Sequence, residues 1–284
     1  MNKRTLKNDF LELEYFTHSL RICGLTPKGK TDLLASLDRE LPIPTPYGDF
    51  YFRGGHRLWH APEAMPRTYA PETGELNITD LPDGVILETR TEPGTGIRKR
   101  IEIRLAPDRP TVTLTHTLIN DGLWTVELAP WAITQFRLGG TAILPLPVGN
   151  VDAAGLLPNR QLSFWTYTRL NDPRLSLRDD FILFHADALP PFKIGYFNPH
   201  GWLAYYVDGI LFKKTYDVQT NAPHPDKNSN AELYCDERFI ELESLSPLVK
   251  LEPGAKTHHR ETWEIFEGAA SLSENIQHAI LSSL

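Results

Sequence analysis

Turn signals recur through residues 76–134 at intervals too short for helices: Asp83-Gly84, Glu92-Pro93-Gly94, Pro107-Asp108-Arg109-Pro110 and Asn120-Asp121-Gly122. Residues 111–120 between two of them alternate strictly, which places successive side chains on opposite faces of a strand. The next run, 124–134, follows Asp121-Gly122, and that dipeptide predicts a hairpin with 111–120. Residues 10–16 and 20–25 predict an earlier hairpin, and the same rhythm resumes at 181–184, 192–197, 202–207, 210–216, 232–235, 239–245 and 256–266. Short strands at this spacing predict an all-β fold, a large antiparallel β-sandwich. Helix is expected only as one or two turns at 31–37, with Thr31 as its cap, and as a short C-terminal helix at 271–281, capped by Ser271 or Ser273. Glycines and prolines make 53–63 a structured loop and 139–155 an irregular stretch. No break in composition and no repeat of 20 to 50 residues divides the chain. It is read as a single domain, 1–284, with 144–158 as its weakest point.

At 284 residues, 41% of them hydrophobic, the chain can build a sizeable core, and such sandwiches often reach this length as one unit. A net charge of −7 with scattered Lys and Arg argues against nucleic acid. The one basic cluster, Arg98-Lys99-Arg100, reads as a solvated strand edge. No run of about 18 apolar residues predicts a membrane span, and the basic start, residues 1–7, lacks the apolar stretch of an export signal. Cys23 and Cys235 stand in strand-like contexts with no partner at metal-ligand spacing, so both are expected to be reduced core residues of a cytoplasmic protein. Phosphate loops, dinucleotide fingerprints, Gly-x-Ser-x-Gly elbows and His-Glu-x-x-His are absent. No cofactor is expected, and the chain is expected to work as a monomer or homodimer.

The acidic strand at 239–245 carries the chemistry. Ile240 and Leu242 point one way, Glu241 and Glu243 the other, with the two carboxylates roughly 7 Å apart. Facing solvent they are an ordinary half-exposed strand; lining a cleft they raise each other's pKa and supply a general base. His56 and His60, four apart, would share a metal on a helix, but Gly54, Gly55 and Pro62 argue against a helix there, so no metal is expected. His258 and His259 are adjacent on a strand and read as surface residues. Lys193, between Phe192 and Ile194, is either a cation facing a cleft or one half of a salt bridge at the sandwich rim.

The run Arg53-Gly54-Gly55-His56-Arg57-Leu58-Trp59, the pair 113–120 and 124–134, and Ile240-Glu241-Leu242-Glu243 before Pro247 resemble the galactose mutarotase-like superfamily, which includes aldose 1-epimerases and hexose-6-phosphate mutarotases. The resemblance spans most of the chain in order. It implies a many-stranded sandwich with a small-molecule carbohydrate bound on the concave face of one sheet. Glu243 resembles the general base that takes the anomeric proton, and Arg53 the substrate-holding arginine of the Arg-Gly-Gly turn. Where the family carries its general-acid histidine, this chain has Trp131. His224, in a loop before the Glu243 strand, is the candidate replacement, with His56, His116 and Lys193 as others; His116, in an alternating strand, reads rather as a structural histidine. Arg53, His56, Arg57, Trp59, Trp131, Lys193, Trp202 and Glu241 are the expected substrate contacts, the tryptophans as stacking platforms. Three readings follow: anomer interconversion, sugar binding without turnover, and glycoside processing by Glu241 and Glu243. The last is awkward, because both carboxylates sit on one face of one strand, whereas a glycosidase pair usually flanks the sugar.

Overall fold

A computed structural model of the chain describes residues 2–37, 42–72 and 74–268. It is an antiparallel β-sandwich of two large sheets. The first runs Lys3–Lys7, Leu11–Phe16, Arg21–Pro27, Arg53–Ala61, Val126–Phe136, Ile240–Leu245, Ala231–Cys235, Phe192–Tyr196 and Leu162–Phe164. Val249–Leu251 and Ser36–Leu37 add to it beside the central strands. The second runs Leu175–Leu177, Phe181–His185, Thr141–Pro145, Trp202–Val207, Ile210–Tyr216, Lys256–Glu267, Thr111–Asn120, Ile97–Leu105, Gly84–Glu88 and Asn77–Leu81. Among the described residues helix is confined to Pro225–Asn228, and no helix is long and apolar enough to cross a membrane. The expected C-terminal helix at 271–281 lies outside the described residues.

Alternation along each strand sends Leu58, Leu114, Phe136, Leu203, Phe212, Leu233, Ile240, Leu242 and Trp263 into one apolar core between the sheets. Cys23 and Cys235 are free and buried, and burial pushes each thiol up to about 12.

That core encloses a polar network whose protons can be assigned. His116 Nδ1 lies 3.1 Å from the His259 carbonyl, which only accepts, so Nδ1 carries the proton and Nε2 accepts. His56 Nε2 therefore donates to His116 Nε2 at 2.7 Å, and Thr134 Oγ1 donates to His56 Nδ1 at 2.9 Å. On the other branch, Glu261 Oε1 accepts from Lys214 Nζ at 2.8 Å and from Ser244 Oγ at 2.5 Å, while Trp263 Nε1 donates to Oε2 at 2.8 Å. Ser244 Oγ accepts from His259 Nε2 at 2.6 Å, leaving His259 Nδ1 for Ser246 at 2.8 Å. Burial keeps all three histidines neutral, pushing His259 down to about 3. Burial alone would raise the Glu261 carboxyl, but the Lys214 ammonium holds it well below the usual carboxylate range. Lys214 Nζ also reaches the Leu242 carbonyl at 2.9 Å, tying one sheet to the other.

Several expectations change on folding. Residues 31–37 form no helix: Asp32 Oδ1 accepts from the Leu25 and Leu34 amides, each at 2.9 Å, Leu34 bridges to Phe136, and Ser36–Leu37 pairs with Arg53 and Gly54. Residues 53–61 are no loop but the central strand Arg53–Ala61. Gly54 and Gly55 sit at φ +79 and +72, and a Cβ on either would stand 2.0 Å from the Ala35 or Ile22 carbonyl oxygen, so only glycine lets the chains approach there. Residues 139–155 include the strand Thr141–Pro145. Thr111–Asn120 and Val126–Phe136 are not a hairpin but belong to different sheets, because Asn120 Nδ2 donates to the Trp124 and Leu251 carbonyls, each at 2.8 Å, and fixes a corner. Arg98-Lys99-Arg100 lies on a strand paired on both sides, with Lys99 buried 2.6 Å from Glu92. His259 is buried in the polar network, while His258 is exposed.

Glu261→Gln strands the Lys214 ammonium without its counter-charge. It is expected to cost about 3–5 kcal/mol in urea unfolding at pH 7. The double change Lys214→Met with Glu261→Leu should recover most of that loss.

Candidate functional site

The outer face of the first sheet carries charge where a solvated sheet would face water. On Ile240–Leu245 the alternation turns Glu241, Glu243 and Leu245 outward, yet the whole strand is buried, because loops cover it. Antiparallel register aligns the neighbours in rows. Gln135, Glu241, Tyr234 and Lys193 form one row, and Arg57, Ile133, Glu243 and Glu232 the next. Trp59, Trp131 and Leu245 form a third, packed with Phe50.

Above these rows opens a cleft of about 410 Å³. Its floor is Arg57, Lys193, Tyr234 and Glu241, and its walls are Phe52, Trp59, Tyr69, Trp131, Trp165, Tyr167 and Phe239, with Glu63 and Arg238 at the margin. Arg57 Nη2 donates to Glu241 Oε1 at 3.0 Å, and its guanidinium lies 4.2 Å over the Trp59 ring. Gln135 Nε2 donates to the same carboxylate oxygen at 2.9 Å. Burial pushes the Glu241 carboxyl up to about 7; Arg57 opposes this and Glu243 adds to it. Three buried donors of the cleft, Arg57 Nε, Arg57 Nη1 and Trp59 Nε1, have no hydrogen-bond partner among the described residues.

Beside Arg57 and Glu241 lies a second charged group. The Lys193 ammonium stands 2.8 Å from Glu232 Oε2 and 3.0 Å from Glu243 Oε2, and 4.7 Å from both the Trp131 and Trp165 rings. Burial alone would lower its pKa, but the two carboxylates hold it well above its ordinary value. Trp131 Nε1 donates to Glu243 Oε2 at 2.8 Å. Burial raises Glu232 well above the usual carboxylate range and raises Asp226, its neighbour, as well. Asp226, Lys227 and Asn228 hold consecutive left-handed φ values of 49, 61 and 69, a conformation that costs L-residues energy and needs support from surrounding structure.

Of the residues singled out in the sequence, Arg57, Trp59, Trp131, Lys193 and Glu241 converge on the cleft. Glu243 lies one layer beneath, wholly buried under Trp131 and Lys193. The others stand elsewhere. Arg53 starts its strand at φ 59 with its guanidinium 4.9 Å over Tyr51. His56 faces the inter-sheet network. Trp202 packs on Phe181 with Ile143 and Leu211 on the far sheet. His224 is buried edge-on to Phe197, with rings 5.4 Å apart. Sequence reading passed over Glu232 and Tyr234, although the hairpin joining their strand to Ile240–Leu245 sets them opposite Glu243 and Glu241. Trp165 and Tyr167 lie in a stretch without alternation and carry no such signal.

His56, His116 and Glu261 each place a ligand atom within 4.8 Å of the others. His56 Nε2 there carries a proton, His116 Nε2 accepts it, and Lys214 supplies the positive charge, so hydrogen bonds within the protein already occupy the cluster. A larger hollow of about 700 Å³ is walled partly by Glu72, Glu92 and Lys99 and is lined by none of the expected catalytic residues or substrate contacts.

No family model matches the sequence, and no curated protein matches it. Solved structures do. A galactose mutarotase-like protein from Lactobacillus casei ATCC 334 superposes with a TM-score of 0.63 at 12% identity, over 93% of this chain and 100% of that one. A galactose mutarotase related enzyme from Lactobacillus acidophilus gives 0.62 at 8% identity, over 94% and 98%. A candidate aldose 1-epimerase from Escherichia coli K12 gives 0.59 at 15% identity, over 94% and 99%.

Lys193→Met leaves the buried Glu232 and Glu243 carboxyls without a cation. It is expected to lower stability at pH 7 by about 3–5 kcal/mol in chemical denaturation.

Proposed function

We propose that the cleft, carried on a fold shared with galactose mutarotase-like proteins, binds a small carbohydrate and interconverts its anomers with Glu241 as the proton-transferring carboxylate. The observation that carries this reading is the Arg57–Glu241 pair set among aromatic rings. A sugar presents apolar C–H faces, which stack on tryptophan, and hydroxyls, which accept from the unpartnered Arg57 and Trp59 donors. In the step itself, ionised Glu241 takes the O1 proton, the C1–O1 bond becomes a carbonyl, and the C1–O5 bond breaks. The ring oxygen then recovers that proton from the Glu241 carboxylic acid, with the Lys193 ammonium stabilising its transient charge. Rotation about C1–C2 and reclosure by the reverse transfers give the other anomer. A carboxyl near 7 holds both protonation states close to neutrality, the condition for such a relay.

Sugar binding without turnover is the second reading. It draws support from the complete burial of Glu243 and from the tryptophan at 131. Glycoside processing by Glu241 and Glu243 is disfavoured, since of that pair Glu241 alone lines the cleft.

Polarimetry on a freshly dissolved aldose anomer separates the two. The proposal expects faster equilibration, with kcat/KM rising as pH climbs through about 7 because the base must be ionised. Glu241→Gln should lose about 10²-fold or more, and a variant as fast as the parent sinks the catalytic reading. Arg53→Ala should leave the rate within about twofold, since Arg53 does not line the cleft and its guanidinium packs on Tyr51.

A further inference from the structure

Every cation on the cleft is already matched by a carboxylate. Arg57 is held to Glu241 at 3.0 Å, and Lys193 to Glu232 at 2.8 Å and Glu243 at 3.0 Å. Arg238, at the margin, is held to Asp236 Oδ2 through Nε at 3.0 Å and Nη2 at 2.6 Å. Glu63 adds a further carboxylate, held by the Tyr69 hydroxyl. Asp226 lies behind Glu232. Against Arg57, Lys193 and Arg238 thus stand Glu63, Asp226, Glu232, Asp236, Glu241 and Glu243. Even with burial favouring protons on Glu232 and Asp226, the carboxylates outnumber the cations. A phosphate or carboxylate on the ligand would have to share a cation whose charge a carboxylate already offsets and approach the remaining carboxylates, both unfavourable. A hydroxyl needs neither: it accepts from Arg57 Nε and Nη1 and from Trp59 Nε1 while the guanidinium keeps its carboxylate.

We propose that the cleft selects electrically neutral, unphosphorylated sugars, and that Glu241 sets this selectivity by offsetting the charge of the guanidinium an anionic sugar would require. The inference rests on the reading of the cleft as a sugar site. It also separates the roles of two arginines: Arg57 serves hydroxyl recognition, and Arg53, outside the cleft, takes no part in it.

Tryptophan fluorescence titrations at pH 8 and low salt provide the test, with glucose and galactose as neutral probes and glucose 6-phosphate, galactose 6-phosphate and glucuronate as anionic ones. In the parent protein the best neutral hexose should bind at least about tenfold more tightly than any anionic probe. Glu241→Gln, checked by circular dichroism, should tighten binding of the anionic probes about tenfold or more, with the gain fading as salt is raised. Asp236→Asn, which removes the carboxylate charge held against Arg238 at the margin, should give a smaller gain of the same sign, and it stands in if Glu241→Gln does not fold. Anionic sugars binding the parent as tightly as neutral ones would overturn the selectivity while leaving the sugar site intact. If neither variant gains affinity, the role given to paired carboxylates falls. Saturation by none of the five probes would overturn the sugar site itself, and the selectivity with it.

Discussion

The ammonium of Lys193, shared between Glu232 and Glu243 beneath two tryptophan rings, makes the outer face of the first sheet tenable. Two neighbouring strands there carry carboxylates that the covering loops remove from water. A single buried carboxylate would cost several kcal/mol unless paired or protonated. The fold uses both remedies, pairing Glu243 with Lys193 and leaving Glu232 and Asp226 inclined to hold protons. Glu241, tied to Arg57, lies between these extremes and keeps a carboxyl that changes state near neutral pH. The chemistry available to the cleft follows from how unevenly one cation and one guanidinium are distributed among these acids.

The interior between the sheets repeats the principle with a different outcome. Lys214 and Glu261 form a closed pair whose remaining valences go to serine, tryptophan and backbone, and three histidines complete the hydrogen bonds as neutral rings. Nothing there is exposed to a ligand. Because Lys214 reaches the Leu242 carbonyl, this network also fixes the strand that presents Glu241, so its contribution to the cleft is the alignment of the two sheets.

Alternation made much of this legible in the sequence. The period of two placed Glu241 and Glu243 on one face, and the sheet-rich architecture followed from spacing and turns. What misled was chemistry whose meaning depends on distant chain. Gly54 and Gly55 read as loop because glycine favours turns, whereas here they admit the carbonyls of Ala35 and Ile22 at a distance no side chain tolerates. Asp121-Gly122 turns the chain whether or not the flanking strands pair; the side chain of Asn120, reaching residue 251, decides that they do not. Glu243 was readable as a carboxylate on the right face, but its burial depends on Trp131 and Lys193, which come from other strands and cover it.

One wall of the cleft differs in kind from its floor. Trp165 and Tyr167 follow directly on Leu162–Phe164, the outermost strand of their sheet, in a stretch that belongs to no ladder until Leu175–Leu177 begins at the edge of the opposite sheet. The floor residues sit in the strand ladders, so any drift in them disturbs the ion pairs beneath. The wall fastens to this floor through Thr168, whose hydroxyl accepts from the Lys193 amide at 2.9 Å and donates to the Lys193 carbonyl at 2.6 Å, while the rest of the segment takes part in no ladder. Over evolutionary time, insertions and substitutions in that segment could remodel which ligands fit while the proton-handling groups stay fixed, an inexpensive route to divergent specificities on one scaffold.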